Sequence, residues 1–303
     1  MAQDRRQFLA GAAGLALASV SPRAIAAEAD AARVIPSAGR AIPAVGLGTW
    51  ITFNVGDDPV LLDRCAEVMA AFVDEGGGMI DSSPMYGSSQ GTIGYGLARL
   101  GHPPSVFSAD KVWTGSVAEG PQQIAASRAE WRVQAFDLLQ VHNLVEWPGH
   151  LKTLLAMKAD GALRAVGITT SHGRRHDELE WIMRDHPIDF VQLTYNVADR
   201  EAESRLLPLA RDKGIAVIVN RPFRQGALTR RLAGAPLPGV AADLGATSWA
   251  QLILKFILSH SAVTTAIPAT TRVDHVRENK AAARGPMPDS AARAAIVGAF
   301  EAL

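Results

Sequence analysis

Short, continuously apolar runs recur along the chain from residue 45, and each precedes a stretch whose apolar positions fall at helical spacing. The pattern predicts strands at 45–49, 79–80, 106–109, 136–141, 163–168, 189–193, 214–219 and 263–267. It predicts helices at about 59–75, 93–100, 121–134, 149–159, 176–184, 201–212, 247–259, 273–283 and 290–303. Asp58 and Pro59 open the first helix as cap and first-turn residue, and Gly76-Gly77-Gly78 ends it. Residues 220–245 read as irregular apart from a turn-like piece at 228–231, and a small hairpin at 33–36 and 40–43 precedes the series.

Apolar runs without alternation are what strands covered on both faces require, as in a parallel sheet wrapped by helices. Eight strand–helix units with no linker after residue 40 predict a single α/β domain, a (β/α)8 TIM barrel spanning 40–303. Its chemistry should then lie where strands end and loops begin. A doubly wound sheet is the alternative, but Gly46 and Gly48 do not extend into the G-x-G-x-x-G run of a dinucleotide-binding turn.

The first 26 residues are expected to stand apart from the barrel. Arg5-Arg6 precedes a mild apolar run at 10–20, and Ala24-Ile25-Ala26 offers a cleavage site. This segment resembles a twin-arginine bacterial export signal, which implies the twin-arginine export machinery as a partner and the periplasm as destination. The run falls short of the about 20 apolar residues that span a bilayer, so no permanent membrane anchor is expected. Residues 27–39 form a spacer and the start of the hairpin.

Composition excludes more than it adds. The 303 residues include 30 basic and 30 acidic side chains, so no net field gathers nucleic acid. The single cysteine, Cys65, has no partner for an internal disulfide or a cysteine-based metal site, and it falls in a predicted helix as a small buried hydrophobe.

The predicted strand ends deliver Thr49 and Trp50, then Asp81 with Tyr86 in the following loop, then Asp110, Lys111 and Trp113. Later ends deliver His142 and Asn143, Thr169 and Thr170, Gln192 and Tyr195, Asn220 and Arg221, and Thr270 with Arg272. Asp81, Tyr86, Lys111 and His142 are the polar groups that make sense together. A tyrosine is a poor proton-transfer group until a neighbouring ammonium favours its phenolate. Lys111 supplies that cation, Asp81 pairs with it, and His142 either orients a carbonyl oxygen or shares the proton relay.

These motifs carry a resemblance. Gly46-Leu47-Gly48-Thr49-Trp50, Ile80-Asp81-Ser82-Ser83-Pro84-Met85-Tyr86-Gly87, Lys111-Val112-Trp113 and Leu139-Gln140-Val141-His142-Asn143 are similar to the aldo-keto reductase family. So are Arg164-Ala165-Val166-Gly167-Ile168-Thr169 and Ile267-Pro268 followed by Glu278-Asn279, and the match runs over about 40–285. The resemblance implies a TIM barrel that binds a nicotinamide cofactor across its C-terminal face. It implies hydride transfer between nicotinamide C4 and the carbonyl carbon of an aldehyde or ketone. Tyr86 would then supply the proton, Lys111 and Asp81 would tune it, and His142 would position the substrate.

By the same resemblance Thr169, Thr170 and Gln192 meet the carboxamide, with Thr170 standing where an asparagine is usual. Asn220 replaces the ring that stacks on the nicotinamide, and Arg221 and Phe223 follow it, Arg221 toward the pyrophosphate. Thr270, Arg272 and His275 fall at the 2'-phosphate end, and Glu278 and Asn279 at the adenine. NADP(H) is narrowly favoured over NAD(H). Trp50 and Trp113 are expected to wall the mouth, with Met85 and Asn143 nearby, which suits an apolar or ring-faced small-molecule carbonyl substrate. The C-terminal residues read as helix, so an open pocket is expected; a monomer is the expected oligomeric state.

Two other functions fit parts of this pattern. One is a barrel that binds or senses the nicotinamide cofactor with little turnover, for which the altered carboxamide and stacking positions speak. The other is a cofactor-independent or metal-dependent barrel hydrolase or lyase. Only His172 and His176 stand at i,i+4, and no H-E-x-x-H run occurs.

Overall fold

The computed structural model describes residues 32–303, so the expected export signal and residues 27–31 of the spacer lie outside the described residues. A hairpin of β1 (Ala32–Ile35) and β2 (Arg40–Pro43) opens the fold, paired antiparallel. Eight parallel strands follow: β3 (Leu47–Gly48), β4 (Gly78–Asp81), β5 (Val106–Val112), β6 (Leu138–Val141), β7 (Ala165–Thr169), β8 (Phe190–Thr194), β9 (Ala216–Asn220) and β10 (Val263–Ala266). Each pairs with its sequence neighbour, and bridges Val45 to Ala266 and Gly48 to Ala269 bring the first strand against the last. The glycines of Gly46-Leu47-Gly48 are explained by this seam. A Cβ on Gly46 would lie 2.7 Å from Met79 O, and one on Gly48 2.7 Å from Ile267 O. The motif spaces the barrel and has no part in phosphate binding by a Rossmann turn.

The shell consists of α1 (Pro59–Asp74), α2 (Ser89–Arg99), α3 (Gly120–Trp131), α4 (Trp147–Ala159), α5 (His176–Asp185), α6 (Leu206–Lys213), α7 (Ala227–Arg231), α8 (Val240–Asp243), α9 (Trp249–Leu258), α10 (Val273–Ala281) and α11 (Ser290–Glu301). Asp58 caps α1 by accepting from Val60 N at 2.9 Å and Leu61 N at 3.1 Å. Among the described residues, no helix is long and apolar enough to cross a membrane.

Two apolar layers hold the fold. The larger lies between strands and helices; the smaller gathers Met79, Phe107, Leu138, Phe190, Ala216 and Ile218 with Ile35 and Ile42 of the hairpin. Because these inward side chains and the hairpin fill the N-terminal end, the C-terminal end is left for a binding cleft.

Three departures from the sequence expectation bear on the site. β5 runs to Val112, so Lys111 is an inward residue within a strand and not a loop residue after it. Its ammonium finds acceptors inside the barrel, which lets a lysine complete the strand. α2 begins at Ser89, earlier than expected, and thereby carries Gln90. The irregular stretch after β9 holds α7 and α8 and supplies one wall of the cleft.

Candidate active site

Lys111 is fully buried, and its Nζ donates to Asp81 Oδ2 at 2.6 Å and to Ser82 O at 2.7 Å. Burial lowers its proton affinity, but the charge and hydrogen bond of Asp81, with the Tyr86 and Asp110 charges, together outweigh that and hold it above its ordinary value. The same ammonium lies 5.0 Å from the centre of the Tyr86 ring. Burial pushes the Tyr86 phenol up, the charge and hydrogen bond of Lys111 pull it down, and the phenol ends above its ordinary value. Sequence reasoning expected the ammonium to dominate; burial wins, and Tyr86 stands as a protonated donor.

His142 packs edge-on to Tyr86 with ring centres 5.6 Å apart. Burial, then the charge of Lys111, holds its pKa well below the usual imidazole range, so it is neutral near pH 7. Its Nδ1 is 2.7 Å from Ser83 Oγ. When that hydroxyl donates to Nδ1, the Nε2 proton is free for an acceptor in the cleft.

Two amides complete the group. Gln192 Nε2 donates to Asp81 Oδ1 at 2.9 Å and Gln140 Nε2 at 3.2 Å, so β4, β5, β6 and β8 all converge on one carboxylate. Thr49 Oγ1 donates to Asp81 O at 2.8 Å and accepts from Ser89 Oγ at 2.9 Å. Gln140, Ser83 and Ser89 were not singled out from the sequence. Gln140 carried a signal, since it breaks the apolar run Leu138-Leu139-Gln140-Val141 and shares a face with His142.

A cleft of about 780 Å³ opens above these groups and runs from Asp81, Tyr86 and His142 to Glu278 and Asn279. It is lined by the expected Thr169, Thr170, Gln192, Asn220, Arg221, Phe223, Thr270, Arg272 and His275. Trp50, Met85 and Asn143 line it as well. Trp113 does not. Gln123 of α3 holds its backbone from both sides, accepting from Trp113 N at 2.6 Å and donating to Trp113 O at 2.7 Å. The indole is 41% exposed, outside the cleft wall. Ile51, not foreseen, takes a place at the mouth with φ +65°, a costly conformation for a β-branched residue.

The polar lining fits a nicotinamide cofactor. Thr170 Oγ1 is buried without a hydrogen-bond partner, a state that a ligand amide would relieve. Thr169 Oγ1 accepts from Asn143 N at 3.0 Å, which leaves its proton to donate. Gln192 spends its NH2 on Asp81 and keeps its carbonyl oxygen. Asn220 is less available than expected: Nδ2 donates to Thr170 O at 2.9 Å and Oδ1 accepts from Thr194 Oγ1 at 2.7 Å. At the far end Arg272 pairs with Asp274, its Nε donating at 2.9 Å, and Thr270 Oγ1 is 3.3 Å from His275 Nδ1. Arg272 is therefore partnered, although an exposed pair of this kind is worth little and can exchange.

The chain is 32% identical over 165 residues to a Schizosaccharomyces pombe protein described as an uncharacterized oxidoreductase, covering 54% of this chain and 52% of that one. It is 28% identical over 229 residues to the NADH-specific methylglyoxal reductase of Escherichia coli, covering 65% and 68%. The match thus spans about half to two thirds of these curated relatives. The fold matches an aldo/keto reductase of Klebsiella pneumoniae in complex with NADP and acetate, with TM-score 0.74 and 22% identity over 88% of this chain and 95% of that one. The model of the Aldo/keto reductase family matches residues 44–294, and with the barrel and its strand-end groups in place the chain belongs to that family.

Proposed function

We propose that the protein is an NAD(P)H-dependent oxidoreductase that reduces an aldehyde or ketone to the alcohol, or runs the reverse reaction. One observation carries this: a protonated phenol, a buried ammonium–carboxylate pair and a neutral imidazole meet at the floor of a cleft of about 780 Å³ that runs on to Glu278 and Asn279. The nicotinamide, when bound, supplies the hydride. Tyr86 passes its proton to the carbonyl oxygen, and the Lys111 ammonium stabilises the phenolate left behind until it regains a proton. Asp81 keeps Lys111 in place, and Nε2–H of His142 orients the carbonyl oxygen. Thr169, Thr170 and Gln192 would hold the carboxamide, Arg221 the pyrophosphate, and Glu278 and Asn279 the adenine.

NADP(H) is proposed over NAD(H) because Arg272 and His275 bring cationic or hydrogen-bonding groups to the far end. The Escherichia coli relative is by its name NADH-specific, so the comparison of Kd for the two cofactors decides the matter. Trp50, Ile51 and Met85 at the mouth favour a substrate with an apolar or ring face. The paired arginines and apolar run at the N-terminus support export by the twin-arginine machinery to the periplasm. Replacing Arg5 and Arg6 by Lys should retain the chain in the cytoplasm; undiminished periplasmic protein would count against it.

Tyr86→Phe tests the reaction. Cofactor binding followed by nicotinamide fluorescence should stay within about twofold, while turnover falls by about two to four orders of magnitude. Wild-type turnover in this variant would show that Tyr86 is not the proton donor.

A further inference from the structure

Asp110 stands back to back with Lys111 on β5, and the reaction above does not use it. Its side chain leaves the strand on the face opposite to Lys111, as alternation requires, and it is fully buried. Oδ1 accepts from Lys111 N at 2.9 Å. Oδ2 accepts from Gln90 Nε2 of α2 at 2.5 Å, and the same Nε2 donates to Ser127 Oγ of α3 at 2.9 Å. No cation lies within 4 Å of its oxygens among the described residues. One neutral side chain and one backbone amide proton are its hydrogen-bond partners, whereas Asp81 on the other side of the strand takes the ammonium.

We propose that Asp110 is a positioning residue that fixes the Lys111 segment of β5 and, through its carboxyl group behind Lys111, adjusts the acidity of Tyr86. This rests on the carbonyl-reductase reading of the site.

Burial raises the carboxyl of Asp110 to about 7, against the pull of Lys111, its backbone N–H and Gln90. The charged groups acting on it are Lys111 from its own strand and Asp81 from β4; α2 reaches it through the neutral Gln90, which is bonded in turn to Ser127 of α3, and Glu130 of α3 lies against Gly91 beside Gln90. The coupling is mutual. Ionised Asp110 raises the proton affinity of both Tyr86 and Lys111. Once Asp110 is protonated, that field vanishes and the phenol becomes the stronger acid. The site therefore favours proton donation, hence reduction, below neutrality, and a fixed neutral residue at 110 extends this state to higher pH.

Asp110→Asn keeps the shape and removes the charge. The wild type should show a transition near pH 7 in kcat/KM for reduction, absent from the variant. The tyrosine limb of alcohol oxidation should move to lower pH in the variant. Gln90→Leu removes a donor that favours the carboxylate, so it should move the transition upward. Infrared spectra of the protein alone should show the carbonyl band of a buried protonated carboxyl appearing as pH falls through neutrality, and Asp110→Asn should lack it. Superimposable pH profiles of wild type and Asp110→Asn would overturn the proposal, and so would absence of the band. The band is read without substrate or cofactor, so its absence counts against Asp110 alone, whereas turnover surviving Tyr86→Phe counts against the reaction assigned to the site.

Discussion

Lys111 and Asp81 are both withdrawn from water, so their pairing must be judged against the cost of burying either charge. A buried pair of this kind is weak evidence for stability, yet removing one partner leaves an uncompensated charge. Lys111→Met should lower the unfolding free energy by about 3–5 kcal/mol in urea titration and abolish turnover. Adding Asp81→Asn should restore much of the stability and none of the activity. If the double variant is no more stable than the single one, the pair is not the reason for the loss. Asp110 makes a second prediction. Its folded pKa of about 7 lies above the ordinary 3.8, so the native state holds this proton more tightly than the unfolded chain. The stabilisation is complete below the unfolded value and is lost as pH rises through 7. Asp110→Asn should be free of this loss, so it gains on the wild type by a few kcal/mol between about pH 4 and 8, an order-of-magnitude figure. Equal stability at both pH values would argue that Asp110 is ionised throughout.

Strand β5 and helix α2 together place Lys111. The apolar run at 106–109 marked only the first part of the strand, because a charged pair at 110–111 reads as a strand end. Strand geometry then separates the two side chains, one into the barrel and one toward the helices. α2 must lie close to α3 for Gln90 to bridge Asp110 and Ser127, and Gly94 allows that approach: a Cβ there would stand 1.9 Å from Glu130 O. The obstacle is backbone, so no side chain can swing aside. Gly94→Ala should therefore destabilise by about 1–3 kcal/mol or more, and displacement of Gln90 should move the near-neutral transition of the pH profile as well. Unchanged Tm would show that the helices separate at no cost.

At the scale of the molecule, the barrel is shut at its N-terminal end by the hairpin and at its seam by Gly46 and Gly48. α11 is fastened outside it by Arg293, whose Nη1 donates to Phe256 O at 2.5 Å and Ser259 Oγ at 2.6 Å. Its Nη2 donates to Tyr195 OH at 2.6 Å and pairs with Glu203. Arg293→Ala leaves Glu203 and Tyr195 short of partners and should cost about 1–3 kcal/mol. Because this network involves none of the groups around Tyr86, KM and kcat below the lowered Tm should be unchanged; a parallel fall in activity would show that α11 supports the cleft.

The barrel was legible in the sequence because continuous apolar runs at regular intervals admit few arrangements. That Asp81, Tyr86, Lys111 and His142 come together was legible because polar groups at strand ends are costly without partners. What the sequence left open depended on side-chain direction and distance between elements far apart in the chain. Trp113 reads as a wall of the pocket until Gln123 is seen to hold its backbone outside the cleft. Arg272 reads as a free cation until Asp274 is seen beside it. The Asp81 to Tyr86 spacing brought a carboxylate and a phenol to one strand end, but the balance between burial and the Lys111 charge, which leaves Tyr86 protonated, is set by desolvation. Desolvation depends on everything packed around a group, and only the tertiary structure assembles that surrounding.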